Sequence, residues 1–223
     1  IGLKATDVAG NSSAGTGTAT VTFTAPNMRL ATNSDKGRSN SDGITSTTTP
    51  SFSGSTGAAY AVDLYEIISG NRFFRGSTIS NGSGDWSVNV GGVITLTAGN
   101  HTFIAEITPY SSGVPSGPTF DSAQVTITVD TSAPSASLVD LLAADDNGTS
   151  ATDDLTNKTT LRLVGTAEAF ALVELFNSST SLGVVTADAA GAWAFTTSTL
   201  TAGNYQFRTK ATDIAGNISG FGT

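Results

Sequence analysis

Apolar and polar residues alternate in short runs along most of the chain. Thr-Leu-Arg-Leu-Val at 160–164 alternates, as do Ala-Leu-Val-Glu-Leu-Phe at 171–176, Ala-Trp-Ala-Phe-Thr at 192–196 and Tyr-Gln-Phe-Arg-Thr at 205–209. Earlier in the chain the same period of two appears at 62–66, 86–88, 102–105 and 125–129. This period is that of a strand with one face buried. Clusters of Gly, Asn and Ser interrupt the runs roughly every 8 to 12 residues, the turn spacing of a sandwich. About seven short strands fall in each stretch of about 100 residues, with one apolar Trp among them. The pattern predicts an all-β chain of tandem immunoglobulin-like β-sandwich domains, arranged end to end in an elongated array.

The chain repeats itself, which sets the domain boundaries. Ala-Thr-Asp-Val-Ala-Gly-Asn at 5–11 recurs as Ala-Thr-Asp-Ile-Ala-Gly-Asn at 211–217. Leu-Thr-Ala-Gly-Asn stands at both 96–100 and 200–204, and Gly-Asp-Trp-Ser-Val at 84–88 is echoed by Gly-Ala-Trp-Ala-Phe at 191–195. The offset between the two longer copies drifts from 111 to 104 residues, so small insertions separate them. Both Trp residues occupy one repeat position; each reads as a core residue, with sugar stacking as the rival reading. Residues 1–25 read as the closing strands of a preceding unit, 26–130 as a whole sandwich, and 131–223 as a second sandwich lacking its last strand. Ile1 is accordingly read as an internal position. Two readings follow for the closing strand at 17–24: it completes the second unit of another molecule head to tail by strand addition, or the sequence is a trimmed piece.

Composition narrows the function classes. Lys and Arg number 10 against 18 Asp and Glu, for a net charge of −8, which argues against nucleic-acid binding. The 27 Ser and 36 Thr make up more than a quarter of the residues, and Cys is absent. Disulfides and thiolate sites are thereby excluded. No apolar run reaches the roughly 20 residues that span a bilayer. A hydroxyl-rich surface with few Lys points to a secreted, extracellular setting. His101, the single histidine, aligns with Tyr205 at a generic strand position. No nucleophile elbow, phosphate loop or dinucleotide fingerprint occurs, so no enzyme is expected.

The acidic residues cluster. Asp145, Asp146, Asp153 and Asp154 fall within ten residues, with Lys158 the one cation nearby in sequence. Two such charges about 4 Å apart repel by roughly 1 kcal/mol in water and severalfold more beside protein. Ca²⁺, which takes six to eight hard oxygen ligands, would hold such a loop. Asp35 and Asp42 form a thinner version in the first unit, where Ser34 replaces Asp145 and Lys36 replaces Asn147. Asp130 lies in the linker between units, Asp7 and Asn11 in the early turn, and Asp213 with Asn217 in its late copy. These elements are expected to meet where two sandwiches join, and Glu168 is a further candidate ligand. The competing reading is that Asp and Asn beside Gly merely cap their own turns.

These motifs resemble a known family. The Asp-rich loop, Thr-Asn-Lys-Thr-Thr at 156–160, Gly-Thr-Ala-Glu at 165–168, Asp-Ala-Ala-Gly-Ala-Trp at 188–193 and the Ala-Thr-Asp-x-Ala-Gly-Asn turn are similar to tandem bacterial Ig-like repeats. Such repeats build giant calcium-binding surface adhesins of the biofilm-associated and RTX types, exported by type I secretion. The resemblance implies a calcium-stiffened extender of a cell-surface adhesin, acting in adhesion or biofilm formation, whose partners are neighbouring repeats. It covers nearly all of the second unit and only part of the first. There Pro109-Tyr110 replaces Asp213-Ile214, and a longer hairpin spans 67–75. The hairpin aromatics read as edge cover or as a contact surface. A carbohydrate-binding module is the alternative, with surface glycans as partner and Trp86, Phe73, Phe74 and Tyr110 as stacking platforms. That alternative requires exposed, coplanar aromatics, whereas a spacer requires a buried Trp.

Overall fold

A computed structural model describes residues 3–6, 12–15, 26–150 and 152–222. Candidates Asp7 and Asn11, and the proposed exchange segment 17–24, lie outside the described residues. Strands β1 (Leu3–Thr6) and β2 (Ser12–Gly15) form an antiparallel pair. The first unit then runs through β3 (Asn27–Leu30), β4 (Ile44–Thr45), β5 (Ser51–Ser55), β6 (Tyr60–Ile68), β7 (Asn71–Ile79) and β8 (Asp85–Asn89). It continues with β9 (Gly99–Ser111), β10 (Val114–Pro115), β11 (Phe120–Asp121) and β12 (Val125–Val129). The second unit holds β13 (Asp140–Leu141), β14 (Arg162–Thr166), β15 (Leu172–Asn177), β16 (Thr180–Thr186), β17 (Ala192–Thr196) and β18 (Phe207–Thr212).

Each unit stacks two sheets. In the first, β3-β5-β8 faces β4-β12-β9-β6-β7, with β10 and β11 also paired to β9. In the second, β13-β14-β17 faces β16-β15-β18. The alternation read from the sequence decides which side chains meet between the sheets. Val62 and Leu64 of β6, and Val173 and Leu175 of β15, are completely buried. They belong to two separate apolar cores, one per unit.

The repeat extends to details. Gly54 and Gly165 lie flat against the indoles of Trp86 and Trp193, where a Cβ would collide with ring carbons at 2.5 Å. Each indole is 4% exposed. The Trp193 Nε1–H donates to Ser137 Oγ at 2.8 Å. The Trp86 Nε1–H has no partner, because Pro26 stands where the second unit has Ser137. Both units also carry a bulge at matching positions, between Leu64 and Tyr65 and between Leu175 and Phe176.

One difference separates the two. β12 lies between β4 and β9, parallel to the first and antiparallel to the second. Among the described residues the second unit has no counterpart of β12. Residues 203–206, which repeat the first four residues of β9, are not strand there, and neither are 155–156, which repeat β4.

Candidate functional site at the junction and the acidic loops

The units touch through backbone. The loop at 36–38 of the first meets the turn at 213–217 of the second, and Arg38 N–H donates to Ile214 O at 3.0 Å. Gly37, at φ +114°, packs so closely that a Cβ would overlap the Ile214 carbonyl. Gly216, at φ +91°, faces it, with Gly37 Cα 2.9 Å from where its own Cβ would stand. Only glycine combines this conformation with this approach. The Arg38 guanidinium donates to Phe170 O at 2.7 Å, and Asn217 Nδ2 donates to Asp130 O in the linker at 2.9 Å. Linker, loop and turn thus meet where the sequence places them.

The Asp213 carboxylate is used up inside its turn: Oδ1 accepts the Asn217 N–H and Oδ2 the Asn217 side-chain amide, both at 2.8 Å. Asp130 Oδ1 caps Ser132 N–H. Glu168 has an exposed side chain, and its carbonyl accepts Ala171 N–H. At Asp130 and Asp213 the side chain caps its own turn, whereas at Glu168 only the backbone carbonyl takes part.

Asp145 and Asp146, adjacent in sequence, have different surroundings. Asp145 is buried and accepts from Lys158 at 2.5 Å and from the Arg162 guanidinium at 2.8 Å. Its Oδ2 also accepts Arg162 N–H, the bond that Ser34 Oγ makes to Ser51 N–H in the first unit. Arg162 and Lys158 hold this carboxyl well below the usual carboxylate range. Lys158 is therefore not the only cation at hand, because strand β14 brings Arg162 to the loop.

Asp146 and its repeat counterpart Asp35 are each 4% exposed. In both, Oδ2 accepts loop N–H groups: Gly43 for Asp35, and Asp153 with Asp154 for Asp146. In both, Oδ1 is buried without a hydrogen-bond partner among protein atoms. Burial, reinforced by Asp42, pushes the Asp35 carboxyl up against the opposing pull of the Gly43 N–H. Asp154 is raised by partial desolvation and by Asp140, Asp146 and Asp153. Asp140 is a member of this cluster that sequence spacing missed, since it lies on β13 rather than in the loop. Arg29 and Gly43 stand at the positions of Asp140 and Asp154 in the first unit, which leaves a poorer cluster. Among the described residues, no three acidic or histidine side chains are gathered in a ready metal site.

The remaining chemistry is structural. His101 is not a bland strand residue: its Nδ1 lies 2.6 Å from Glu66 Oε1 and its Nε2 lies 2.9 Å from Thr97 O. Arg75 closes the other side of Glu66 at 2.7 Å. Trp86 and Trp193 are buried and cannot stack a sugar. On the hairpin, Phe74 packs edge-on against Tyr65 and Phe73 lies under the Arg75 guanidinium. No helix among the described residues is long and apolar enough to cross a membrane.

The solved structures to which the chain is similar include the following two. One is the BSP domain of a biofilm-associated protein, with 19% identity over 81% of this chain and 27% of that one, and a TM-score of 0.31. The other is a tetra-tandem repeat from the extending region of a large adhesion protein, with 22% identity over 99% of this chain and 55% of that one, and a TM-score of 0.35. The chain therefore spans about a quarter and about half of their lengths. No curated protein matches it. The sequence profile of a bacterial Ig-like domain matches twice, over residues 22–131 and 133–221. These matches cover nearly the whole chain, which belongs to the bacterial Ig-like domain family, a structural and non-enzymatic fold.

Proposed function

We propose that this chain is an extender segment of a bacterial surface adhesin, whose work is to hold one part of a longer protein at a set distance from another. The observation that carries this reading is the backbone-to-backbone packing of Gly37 against Gly216, fastened by Arg38 at both Ile214 and Phe170. A joint closed by main chain and glycine has few rotamers to lose and little freedom to hinge. A thiol-free, hydroxyl-rich and Lys-poor composition supports a secreted, cell-surface setting. Spin labels on the outer strands of the two units test it by double electron–electron resonance. A single narrow distance is expected, broadened by Gly37→Val; a broad distribution in the unmodified chain would overturn the reading.

A second element of the proposal is Ca²⁺ at the acidic loops. It is supported by the same orphaned, buried Oδ1 on Asp35 and Asp146, an arrangement that costs stability unless a cation or donor answers it. Asp146 would anchor the ion in the second unit, with Asp153 and Asp154 drawn in around it, and Asp35 with Asp42 in the first; among the described residues these carboxylates are not gathered for a metal as they stand. The ion would supply positive charge to carboxylates that the described protein atoms answer only with N–H groups. Asp145 is omitted from this set because Arg162 and Lys158 already neutralise it. Calorimetric titration with Ca²⁺ should show binding that Asp146→Asn weakens at least tenfold, together with a Tm that EDTA lowers. Equal Tm values with Ca²⁺ and with EDTA would remove calcium from the proposal and leave the extender reading standing.

A further inference from the structure

One hydrogen bond is repeated in both units but made by chemically different donors. In the second unit Tyr205 Oη donates to Thr201 O at 2.9 Å. In the first, Thr97 stands at the position of Thr201, and its carbonyl lies 2.9 Å from His101 Nε2. Each bond ties down a segment whose leucine is anchored to a neighbouring loop. Leu96 N–H donates to Thr48 O at 2.8 Å, and Leu200 N–H to Thr159 O at 2.7 Å. A phenol keeps its proton across neutral pH, whereas imidazole is the side chain that ordinarily changes charge there.

The first unit commits its donor on both sides. His101 Nδ1 lies 2.6 Å from Glu66 Oε1, and Glu66 is buried. Arg75 Nε and Nη2 reach Glu66 Oε2 at 2.8 and 2.7 Å, so Glu66 enters as a carboxylate acceptor. Both ring nitrogens thus face oxygen acceptors, and the two bonds stand together only when each nitrogen carries a proton. The second unit has Asn177, Leu182 and Tyr205 at the positions of Glu66, Arg75 and His101. No other charge faces the ring from its neighbours. β4, β12 and residues 93–98 carry no ionisable side chain, and Arg29 and Asp85 of the facing sheet are exposed. Asp63, Tyr65, Arg72, Glu106 and Asp121 form a separate cluster.

We propose that His101 is a proton-operated latch on residues 93–98, closed as the imidazolium and open as the neutral ring. As the pH rises, the ring gives one proton to solvent. Nδ1 keeps its hydrogen, because its bond to the Glu66 carboxylate is the charge-assisted one. Nε2 then turns a lone pair toward the Thr97 carbonyl, and that bond is lost. Leu96, a core residue of this segment, is left with its packing and its N–H bond to Thr48. The sign is fixed: the bond is present on the acidic side and disappears on the alkaline side. Gly99, two residues before His101, pairs with Val129, the last residue before the linker. The latch therefore sits at the linker end of the first unit, while the tyrosine bond of the second unit stays closed throughout.

The test is NMR of the full chain from roughly pH 5 to pH 9, where its single histidine gives one set of imidazole signals. Ring ¹⁵N shifts should show both nitrogens protonated at the acidic end and Nε2 bare at the alkaline end. Amide hydrogen exchange reads the segment. Leu96 and Leu200 both stand between two threonines, so their intrinsic exchange rates cancel in the ratio. That ratio should rise about tenfold in favour of Leu96 as the ring titrates, the order expected for one lost hydrogen bond. Glu66→Gln should flatten the rise, because the Gln amide can donate to a neutral Nδ1 while its carbonyl accepts from Arg75. A ring with only one protonated nitrogen at the acidic end overturns the proposal. So does a ratio that stays constant while the ring titrates, or a rise that Glu66→Gln leaves intact. The first two readings come from the unmodified chain and stand even where the variant fails to fold.

Discussion

Gly37 and Gly216 face each other across the junction, with Gly37 Cα 2.9 Å from the position a Gly216 Cβ would take. Gly37→Val forces these two backbones apart, and the Arg38–Ile214 hydrogen bond goes with them. The expected cost is on the order of 1–3 kcal/mol, the usual penalty for overpacking. It falls on the coupling between units, because both apolar cores lie elsewhere. In differential scanning calorimetry the variant should melt in two separated transitions, with faster proteolysis in the 130–137 linker. An unchanged melting profile would show that the contact carries no coupling.

Asp145 is the main acid-sensitive group of the second unit. Its carboxyl is held down by Arg162 and Lys158, so its ionised form contributes stability above the unfolded value of 3.8. That contribution disappears as the pH falls through the lowered folded value. Asp145→Ser preserves an acceptor for Arg162 N–H, as Ser34 does for Ser51, and removes the charge. Urea midpoints measured from roughly pH 5 to pH 2 should fall less steeply in the variant. Parallel pH curves would contradict the assignment.

Asp35 acts in the opposite direction. Its folded value is raised, so the proton is held more tightly in the native state than in the unfolded one. The stabilisation is full below 3.8 and is lost as the pH rises through the raised folded value. In metal-free buffer at pH 7, Asp35→Asn should raise the Tm of the first unit by about 4 °C, the order expected for 1 kcal/mol in a unit of about 100 residues. The neutral amide can still accept from Gly43 N–H. A lower Tm would show that the buried charge is answered by something other than a cation.

The paired Trp sites give an internal control. Ser137→Ala strands the Trp193 indole N–H in the second core and should cost about 1–3 kcal/mol. Pro26→Ser places the same hydroxyl beside Trp86, whose N–H lacks a partner, and should stabilise the first unit by about 1 kcal/mol. Chemical denaturation of each variant reads both effects. Destabilisation by Pro26→Ser would show that the fixed φ of proline matters more there than the missing bond.

How far the sequence revealed these features depends on their range. Alternation and repetition gave the strands, and the shared position of Trp86 and Trp193 placed both in cores, because burial on one face imposes period two directly. The motif order led to the expectation that a linker, a loop and a turn meet at the junction, whereas the fit of Gly37 against Gly216 is a backbone contact that no motif shows. The state of Asp145 was not: Arg162 reaches it only because β14 begins beside the loop, 17 residues on. Asp140 joins the acidic cluster through sheet pairing to Val164, which no local spacing shows. The link from His101 to Glu66 also crosses the sheet, since β6 and β9 are neighbours there. Contacts between strands depend on sheet pairing, which local sequence does not carry.

Gly148 occupies in the second unit the loop position that Gly37 occupies in the first, while Gly10 repeats the place of Gly216. The second unit therefore repeats the glycine position of the loop as well as the turn, although Gly148 lacks the positive φ of Gly37, and loop and turn differ in kind. Such joints can be stacked only in one direction, and adding a unit changes no existing contact. Because the mating atoms are main chain, side chains over the rest of each unit can differ without altering the fit. The reach of such an array then depends on how many units are strung together, and the direction in which it points is set by which end of the chain is tethered.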